Sequence, residues 1–396
     1  MQRMHEEQTQ VEGYNSELQP DTRVFNLVIE AWSKKGGTKA SATRAMRILD
    51  LMQELHFQSA NDSWQGVVLS KVQPNLQTYK LVLYAWAHAT HTVEGPDRAE
   101  EILRHLLSMS KAGNLGAEIL PDVQCFHIVM KAHADSVRKK GKGDEGLASV
   151  ERAQKVSDLL EWMEMLAVRS KIQPTTESYR IAISAWVWSH HVDASIEAEM
   201  ILNRMIRVHD MHHNNTTNAR SSTKLKKIKP QVLPSAQDFN TIINCCSYAR
   251  RVGVDKSEED DESLALRQME HKEIYDIAER VFKTLISSTY AQPDSATFSG
   301  IIRACNNLLP NTDERDDIVI EYFRLAYHTD LPAEDRSAKI SSTSRDRMAP
   351  PPGGGCVDAN VLRQLRSALP STELYIQIRE EFERHRRHNS NEEERV

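Results

Sequence analysis

One short stretch returns six times in this chain, and it limits the fold more than any other feature. Phe25, Val28, Ile29 and Trp32 stand at steps of three, four and seven, which is one face of a helix. Tyr79, Val82, Leu83 and Trp86 repeat the spacing, as do Phe126, Val129, Met130 and His133, then Tyr179, Ala182, Ile183 and Trp186. Phe239, Ile242, Ile243 and Cys246 follow, then Phe298, Ile301, Ile302 and Cys305. A small residue precedes the last member each time: Ala31, Ala85, Ala132, Ala185, Cys245 and Ala304. A proline stands five residues before each aromatic: Pro20, Pro74, Pro121, Pro174, Pro234 and Pro293. Recurrence in this order is the mark of a repeat architecture, in which stacked units form one elongated body.

Each unit carries a second helical signature, an alanine followed by apolar residues three, four and seven places on. Ala45 leads Ile48, Leu49 and Met52; Ala99 leads Ile102, Leu103 and Leu106; Ala198 leads Ile201, Leu202 and Met205; Ala278 leads Val281, Phe282 and Leu285. The third copy is weaker (Ala153, Val156, Ser157, Leu160), and in the sixth Val319 takes the alanine place before Tyr322, Phe323 and Ala326. Small residues at fixed points let helices approach, and bulky ones fill the facing groove. The unit is helix, turn, helix, then a loop ending in proline, which stops one element and fixes an extended entry to the next.

The aromatics at 25, 79, 126, 179, 239 and 298 lie farther apart than the roughly 34 residues of ordinary two-helix repeats. The excess falls in polar insertions: Asn61 to Gly66, Arg138 to Gly146, His209 to Pro230 and Val254 to Glu262, all expected to be loops. The expected organisation is a lead-in over 1–19, repeats over 20–330, a Pro/Gly/Ser-rich linker over 331–355, a degenerate seventh repeat or capping helices over 356–385, and a disordered tail over 386–396. In the seventh unit Val361, Leu362 and Leu365 fit, but Asp358 stands where the aromatic is expected. A last helix is expected from about Glu373 to His385.

A formal charge of −6 over 396 residues excludes a uniformly basic nucleic-acid-coating chain, though not a locally basic groove. Five cysteines without CxxC spacing (Cys125, Cys245, Cys246, Cys305, Cys356) read as small buried residues. No apolar run is long enough for a membrane span. Met1 to Gln10 carries Glu6 and Glu7 and shows neither a signal-peptide core nor an Arg-rich targeting helix, so either targeting is unusual or the chain is a mature or truncated form.

The combined pattern, Pro-Asp, an aromatic-Asn pair, two apolar residues, Ala-Trp, then Ala-x-x-Ile-Leu-x-x-Met, resembles the pentatricopeptide repeat family. It stands most fully in Pro20 to Met52 and Pro74 to Leu106 and covers roughly residues 20 to 326. The Trp, Leu-Gly and Tyr pattern of tetratricopeptide first helices is absent. The resemblance implies an all-α fold, a right-handed α-solenoid of six helix-turn-helix pairs plus a partial seventh. It implies a groove that holds single-stranded RNA at about one base per repeat. It also implies an organellar setting, mitochondrion or plastid, and a role in RNA processing, stability or translation.

In that family the base-reading residues are the one just after the first-helix aromatic and the one after the proline that closes the repeat. Carried over, the resemblance pairs Asn26 with Asn75, Lys80 with Asp122, His127 with Thr175, Arg180 with Ser235, and Asn240 with Asp294, and leaves Ser299 without a clear partner. The Asn-Asn and Asn-Asp pairs resemble pyrimidine readers, the second favouring uracil; an amide matches a pyrimidine edge because it both donates and accepts. Lys80, His127 and Arg180 depart from the family pattern. They form a basic stripe that contacts phosphate or stacks on bases, or the groove has lost base reading and takes protein or structured RNA, or they are solvated positions of amphipathic helices.

The remaining candidates are weaker. His209, His212 and His213, and the pair His88 and His91, lack the ligand sets of zinc sites and read as surface histidines, so no metal is expected. The run Arg220, Lys224, Lys226, Lys227 and Lys229 is either a phosphate contact or a solvated loop, and the acidic run Glu258 to Glu262 points away from nucleic acid. Trp32, Trp86 and Trp186 read as core. No phosphate loop, HExxH, nucleophile elbow or C-terminal nuclease segment is present, so neither catalysis nor a cofactor is expected. The reading is a non-enzymatic binder of single-stranded RNA; the alternative is a protein-interaction scaffold of the tetratricopeptide type.

Overall fold

A computed structural model describes residues 20–35, 37–61, 72–89, 94–111, 119–140, 146–167, 172–218, 232–249, 261–329 and 355–393. Among the described residues every regular element is helical, and the helices come in seven consecutive pairs. They are α1 (Thr22–Lys34) with α2 (Lys39–Asn61), α3 (Leu76–Ala87) with α4 (Gly95–Lys111), α5 (Val123–Lys140) with α6 (Gly146–Ala167), and α7 (Thr176–Ser189) with α8 (Ala194–Asn218). Then follow α9 (Ala236–Ser247) with α10 (Asp261–Ser287), α11 (Ser295–Leu308) with α12 (Asp313–His328), and α13 (Ala359–Ala368) with α14 (Thr372–Glu393). The protein is an all-helical repeat.

The chain divides into two compact units, Met1–Ile181 and Ala182–Val396, the division falling inside α7. In the first unit α3 packs on both α1 and α5, and each first helix packs on its own second helix. The repeated columns form the core. Phe25, Tyr79, Phe126 and Tyr179 are buried, and Ala45, Ala99 and Ala153 are closed off by Met52, Leu106 and Leu160. Burying each large side chain is worth roughly 1.5–3 kcal/mol, so a repeated column is the main source of cohesion. Phe126 meets Trp162 edge to face at 5.6 Å between ring centres. A second column, Val72, Ile119 and Ile172, is buried two residues before each proline and anchors the incoming loop.

In the second unit α11 packs on α9, α10, α12 and α13. Phe282 meets Phe298 at 5.7 Å and Tyr322 at 5.0 Å, both edge to face. Arg280 grips Glu199 through two hydrogen bonds of 2.9 and 2.7 Å, tying α10 to α8. Phe323 on α12 meets Phe382 on α14 at 5.7 Å. The buried Arg315 bonds Asp316 and also the Ala368 carbonyl at 2.8 Å, so it satisfies the last turn of α13.

Several expectations are corrected. The seventh repeat is a full helix pair, and Asp358 does not fill the aromatic place. It caps α13 through bonds to the Asn360 and Val361 amides at 2.9 and 2.8 Å, the role of the residue after each proline. Leu362, four places on, takes the aromatic position. The segment entering that pair is held by the Cys356 amide on the Ala326 carbonyl at 2.9 Å, with Gly355 at a positive φ of 56°. The tail expected to be disordered from 386 is helical to Glu393, because the helix continues past His385 without a breaker. The insertions are shorter than expected: 138–140 extend α5, 209–218 extend α8 and Asp261 opens α10. The rest of those insertions, 1–19 and nearly all of the 331–355 linker lie outside the described residues.

The tryptophan column is uneven. Trp86 and Trp186 are buried, but Trp32 is only partly covered, with the Arg44 guanidinium 4.4 Å and the Lys35 ammonium 5.3 Å from its ring centre. Val28 is also only partly buried.

Candidate functional site

The post-proline residues are helix caps before they are anything else. An N-cap side chain accepts a hydrogen bond from one of the orphan amides of the first turn. Asp21 accepts from Val24 N at 3.0 Å, Asn75 from Thr78 N at 3.0 Å, Asp122 from Cys125 N at 3.2 Å and Asp294 from Thr297 N at 2.8 Å. In return the third helical residue accepts from the cap amide: Thr78 from Asn75 N at 3.1 Å, Ser178 from Thr175 N at 3.0 Å, Asp238 from Ser235 N at 2.8 Å and Thr297 from Asp294 N at 3.0 Å. These are capping boxes.

From these caps the structure builds the expected pairs. Asn26 Nδ2 donates to Asn75 Oδ1 at 3.4 Å, and Thr78 Oγ1 donates to Asn26 Oδ1 at 2.7 Å. Lys80 Nζ meets Asp122 Oδ2 at 2.5 Å and Gln124 Oε1 at 2.8 Å. His127 Nε2 lies 2.7 Å from Ser178 Oγ and 3.5 Å from Thr175 Oγ1. In the second unit Asn240 Nδ2 donates to Asp294 Oδ1 at 2.9 Å, while Thr297 Oγ1 donates to Asn240 Oδ1 at 2.7 Å. Four of the five pairs are thus joined by hydrogen bonds or salt bridges, each bridging consecutive first helices.

Arg180, Ser235 and Ser299 are placed differently. Arg180 and Ser235 belong to different units; Arg180 is half-buried beside Tyr179, and Ser235 caps α9 with its Oγ 2.9 Å from Asp238 Oδ2. Ser299 is buried and donates back into its own helix, to the Ala296 carbonyl at 3.1 Å. The residue in the closing place of repeat six is Asp358, which the absence of a proline before it concealed. Sequence reasoning also missed Thr78, Ser178 and Thr297, the buried residues that complete three of the four bridges. Their signal was legible as Asn75-x-x-Thr78 and Asp294-x-x-Thr297, a polar residue three places after each cap.

The expected basic stripe is largely neutralised. Lys80 is already ion-paired. Burial pushes the Asp122 carboxyl up, but the hydrogen bond and charge of Lys80 outweigh it and hold the pKa below the ordinary value. Burial lowers the His127 pKa below its ordinary 6.5, so at neutral pH the ring is uncharged.

The pairs keep unused capacity. Asn240 donates once and accepts once, which leaves one N–H and one lone pair. Asp294 Oδ1 takes all the bonds from Thr297 and Asn240, and Oδ2 accepts none from the described residues. Asn240 itself is buried, so Asp294 is the more open member of its pair.

Other candidates resolve into structure. Asp97, Glu100 and His133 place potential metal-ligand atoms within 4.8 Å of one another. The protein's own cations already occupy them: Arg152 and Lys155 on Asp97, and Arg104 on Glu100. His88 stacks on Tyr84 at 3.8 Å and lies at the end of α3. His209 is buried on α8 against Tyr290 at 4.7 Å, which corrects its reading as a loop residue at the surface. All five cysteines are free; Cys245 is partly buried and the others are buried. No helix among the described residues is long and apolar enough to cross a membrane.

No family model matches the chain, and no curated protein matches it. Among solved structures it resembles the crystal structure of the pentatricopeptide repeat protein PPR10 from maize, at 11% identity and a TM-score of 0.29 over 93% of this chain. The match spans 49% of that protein, so this chain corresponds to about half its length.

Proposed function

We propose that this helical repeat is a pentatricopeptide-type binder of single-stranded RNA that carries out no chemistry on it. The observation that carries the reading is the bridged polar pairs between consecutive first helices, at Asn26–Asn75, Lys80–Asp122 and His127–Thr175 in the first unit and Asn240–Asp294 in the second. Polar pairs that recur at the spacing of the repeats suit a polymer with one base per step. The unused acceptor at Asp294 Oδ2 suits the imide N–H of uracil, and the Asn75 amide, with N–H groups to spare, suits the acceptor edge of cytosine. Binding of this kind protects or exposes a transcript by occupancy, in an organelle on the family pattern.

A second reading, a groove for a protein segment, draws on the neutralised Lys80 and the uncharged His127, which leave the first unit with little free charge at the pairs. The two separate in one experiment. The protein is incubated with a random single-stranded RNA pool at low salt, and bound species are sequenced. Enrichment of pyrimidines at a fixed register, shifted by Asp294→Asn from uracil toward cytosine, supports the RNA reading. No retention of RNA at low salt, with a protein partner that survives nuclease treatment, refutes it.

A further inference from the structure

Arg303, in the second unit, meets no carboxylate among the described residues. Arg303 on α11 is half-buried, and its partners are all neutral: Nε donates to Ser247 Oγ at 3.0 Å, Nη2 donates to Asn244 Oδ1, and the guanidinium lies 4.2 Å from the Tyr248 ring centre. Asn307 braces the same turn by donating to the Ser247 carbonyl at 2.8 Å. Two other covered arginines each hold a carboxylate: Arg152 with Asp97 and Arg315 with Asp316. Arg303 has none among the described residues, and burial draws its pKa below the ordinary guanidinium value. A guanidinium has five N–H donors; two are committed here, so three remain. The cation is therefore held in place and partly desolvated, with no neutralising acid among the described residues, as a fixed anion receptor is.

We propose that Arg303 and Tyr248 form a phosphodiester subsite that takes the RNA backbone beside the Asn240–Asp294 pair. The proposal rests on the RNA reading above. Asn244 and Arg303 stand four residues after Asn240 and Ser299, on the same helix faces, about 6 Å along each axis. A strand whose base reaches the pair has its backbone within reach of that next turn. The Tyr248 ring is 65% exposed and already carries the guanidinium, so it offers a π-face for the neighbouring base. An acidic peptide matches the charge but has no use for that face. The site adds affinity without reading sequence, which leaves selectivity to the pair.

The test measures affinity for a random single-stranded RNA pool across a salt series for the wild type, Arg303→Gln, Arg303→Lys, Tyr248→Ala and Asn240→Ala. Loss of one phosphate contact lowers the magnitude of the log–log salt slope by about 0.7 and weakens binding about fivefold at 0.1 M salt. Arg303→Gln is expected to show both changes equally for all bound sequences, Arg303→Lys to keep the slope, and Tyr248→Ala to weaken binding with the slope unchanged. Asn240→Ala is expected to alter the bound sequences and leave the slope intact. If Arg303→Gln and Tyr248→Ala bind as the wild type does while Asn240→Ala changes selectivity, the subsite is wrong and the RNA reading stands. Absence of RNA binding by the wild type overturns both. Displacement of RNA by polyglutamate of matched charge as readily as by RNA overturns the subsite in favour of an acidic protein segment. Tyr248 is exposed, so its variant decides the matter even if Arg303→Gln misfolds.

Discussion

Arg152 Nη1 donates to His133 Nδ1 at 3.1 Å, and this contact fixes the protonation of a histidine sealed inside the first unit. With Nδ1 accepting, the ring proton sits on Nε2, which faces Glu100 Oε2 at 3.1 Å. A second proton on Nδ1 would set two donors against each other. Burial is the first cause of the lowered His133 pKa, and the Arg152 charge adds to it against the hydrogen bond that His133 donates to Glu100.

Stability is therefore expected to fall on acidification below about pH 6.5. The folded pKa of His133 lies below the unfolded 6.5, so the unfolded chain binds more protons there. The contribution is full above 6.5 and is lost as pH falls toward the folded value. His127 shifts in the same direction, so His133→Phe should remove part of the dependence and leave the rest. Glu100, held down at about 2, acts in a separate window, with its contribution lost between 4.5 and about 2. Melting temperature against pH for the two chains checks this; identical profiles between pH 5 and 7 would rule out a role for His133.

Asp122 carries two roles that substitution separates. Asp122→Asn keeps a capping side chain and loses the Lys80 ion pair, whereas Asp122→Ala loses both. The alanine variant should be less stable than the asparagine variant by about 0.5–2 kcal/mol, the worth of a cap, read by urea unfolding. Asp122→Asn should also free the Lys80 ammonium and steepen the salt dependence of RNA binding. A pair of variants with equal midpoints would show that the cap contributes nothing.

Phe282 sits between Phe298 and Tyr322 with both rings edge-on and is fully buried. Phe282→Ala should cost about 3–5 kcal/mol. Met269, 70% exposed, lies on the same helix, and Met269→Ser should stay within about 0.5 kcal/mol. Denaturant midpoints measure both; a mild Phe282→Ala would mean the cluster is not the core of its unit.

Gly355 has a positive φ of 56°, and a Cβ there would lie 2.6 Å from the Tyr327 carbonyl oxygen. A side chain meets both left-handed backbone strain, about 1–2 kcal/mol, and a collision with backbone that cannot step aside. Gly355→Val should loosen the α13–α14 pair, seen as new cleavage there in limited proteolysis. Unchanged protection would mean that the pair docks without this turn.

The fold was legible because the core repeats. Phe25, Tyr79, Phe126, Tyr179, Phe239 and Phe298 stand at the same place and are all buried, so one reading of helical spacing served six times. The seventh pair was blurred because Val357 replaces proline and Leu362 the aromatic, which left Asp358 the only familiar letter and invited a wrong register. The end of α8 at 209–218 differs from the loop expected there because polar composition does not by itself break a helix. At the site, the paired positions were readable by resemblance. The neutralisation of Lys80 was not, because Asp122 lies forty-two residues away in sequence and its own capping role was not considered. Arg303 was invisible for the opposite reason, since the neutral character of its described partners shows only in three dimensions.

The seven residues that open the first helices are Asp21, Asn75, Asp122, Thr175, Ser235, Asp294 and Asp358. Every one belongs to the four side chains that best initiate a helix. On the RNA reading proposed above, a protein of this build that evolves toward a new ligand therefore writes half of each pair in a four-letter alphabet set by helix initiation. Letters outside it are paid for in folding before they are ever tested in binding. The freer half is the position after the aromatic, where Asn, Lys, His, Arg, Asn and Ser have all been tried. Specificity in such a chain should drift fastest where no helix has to begin.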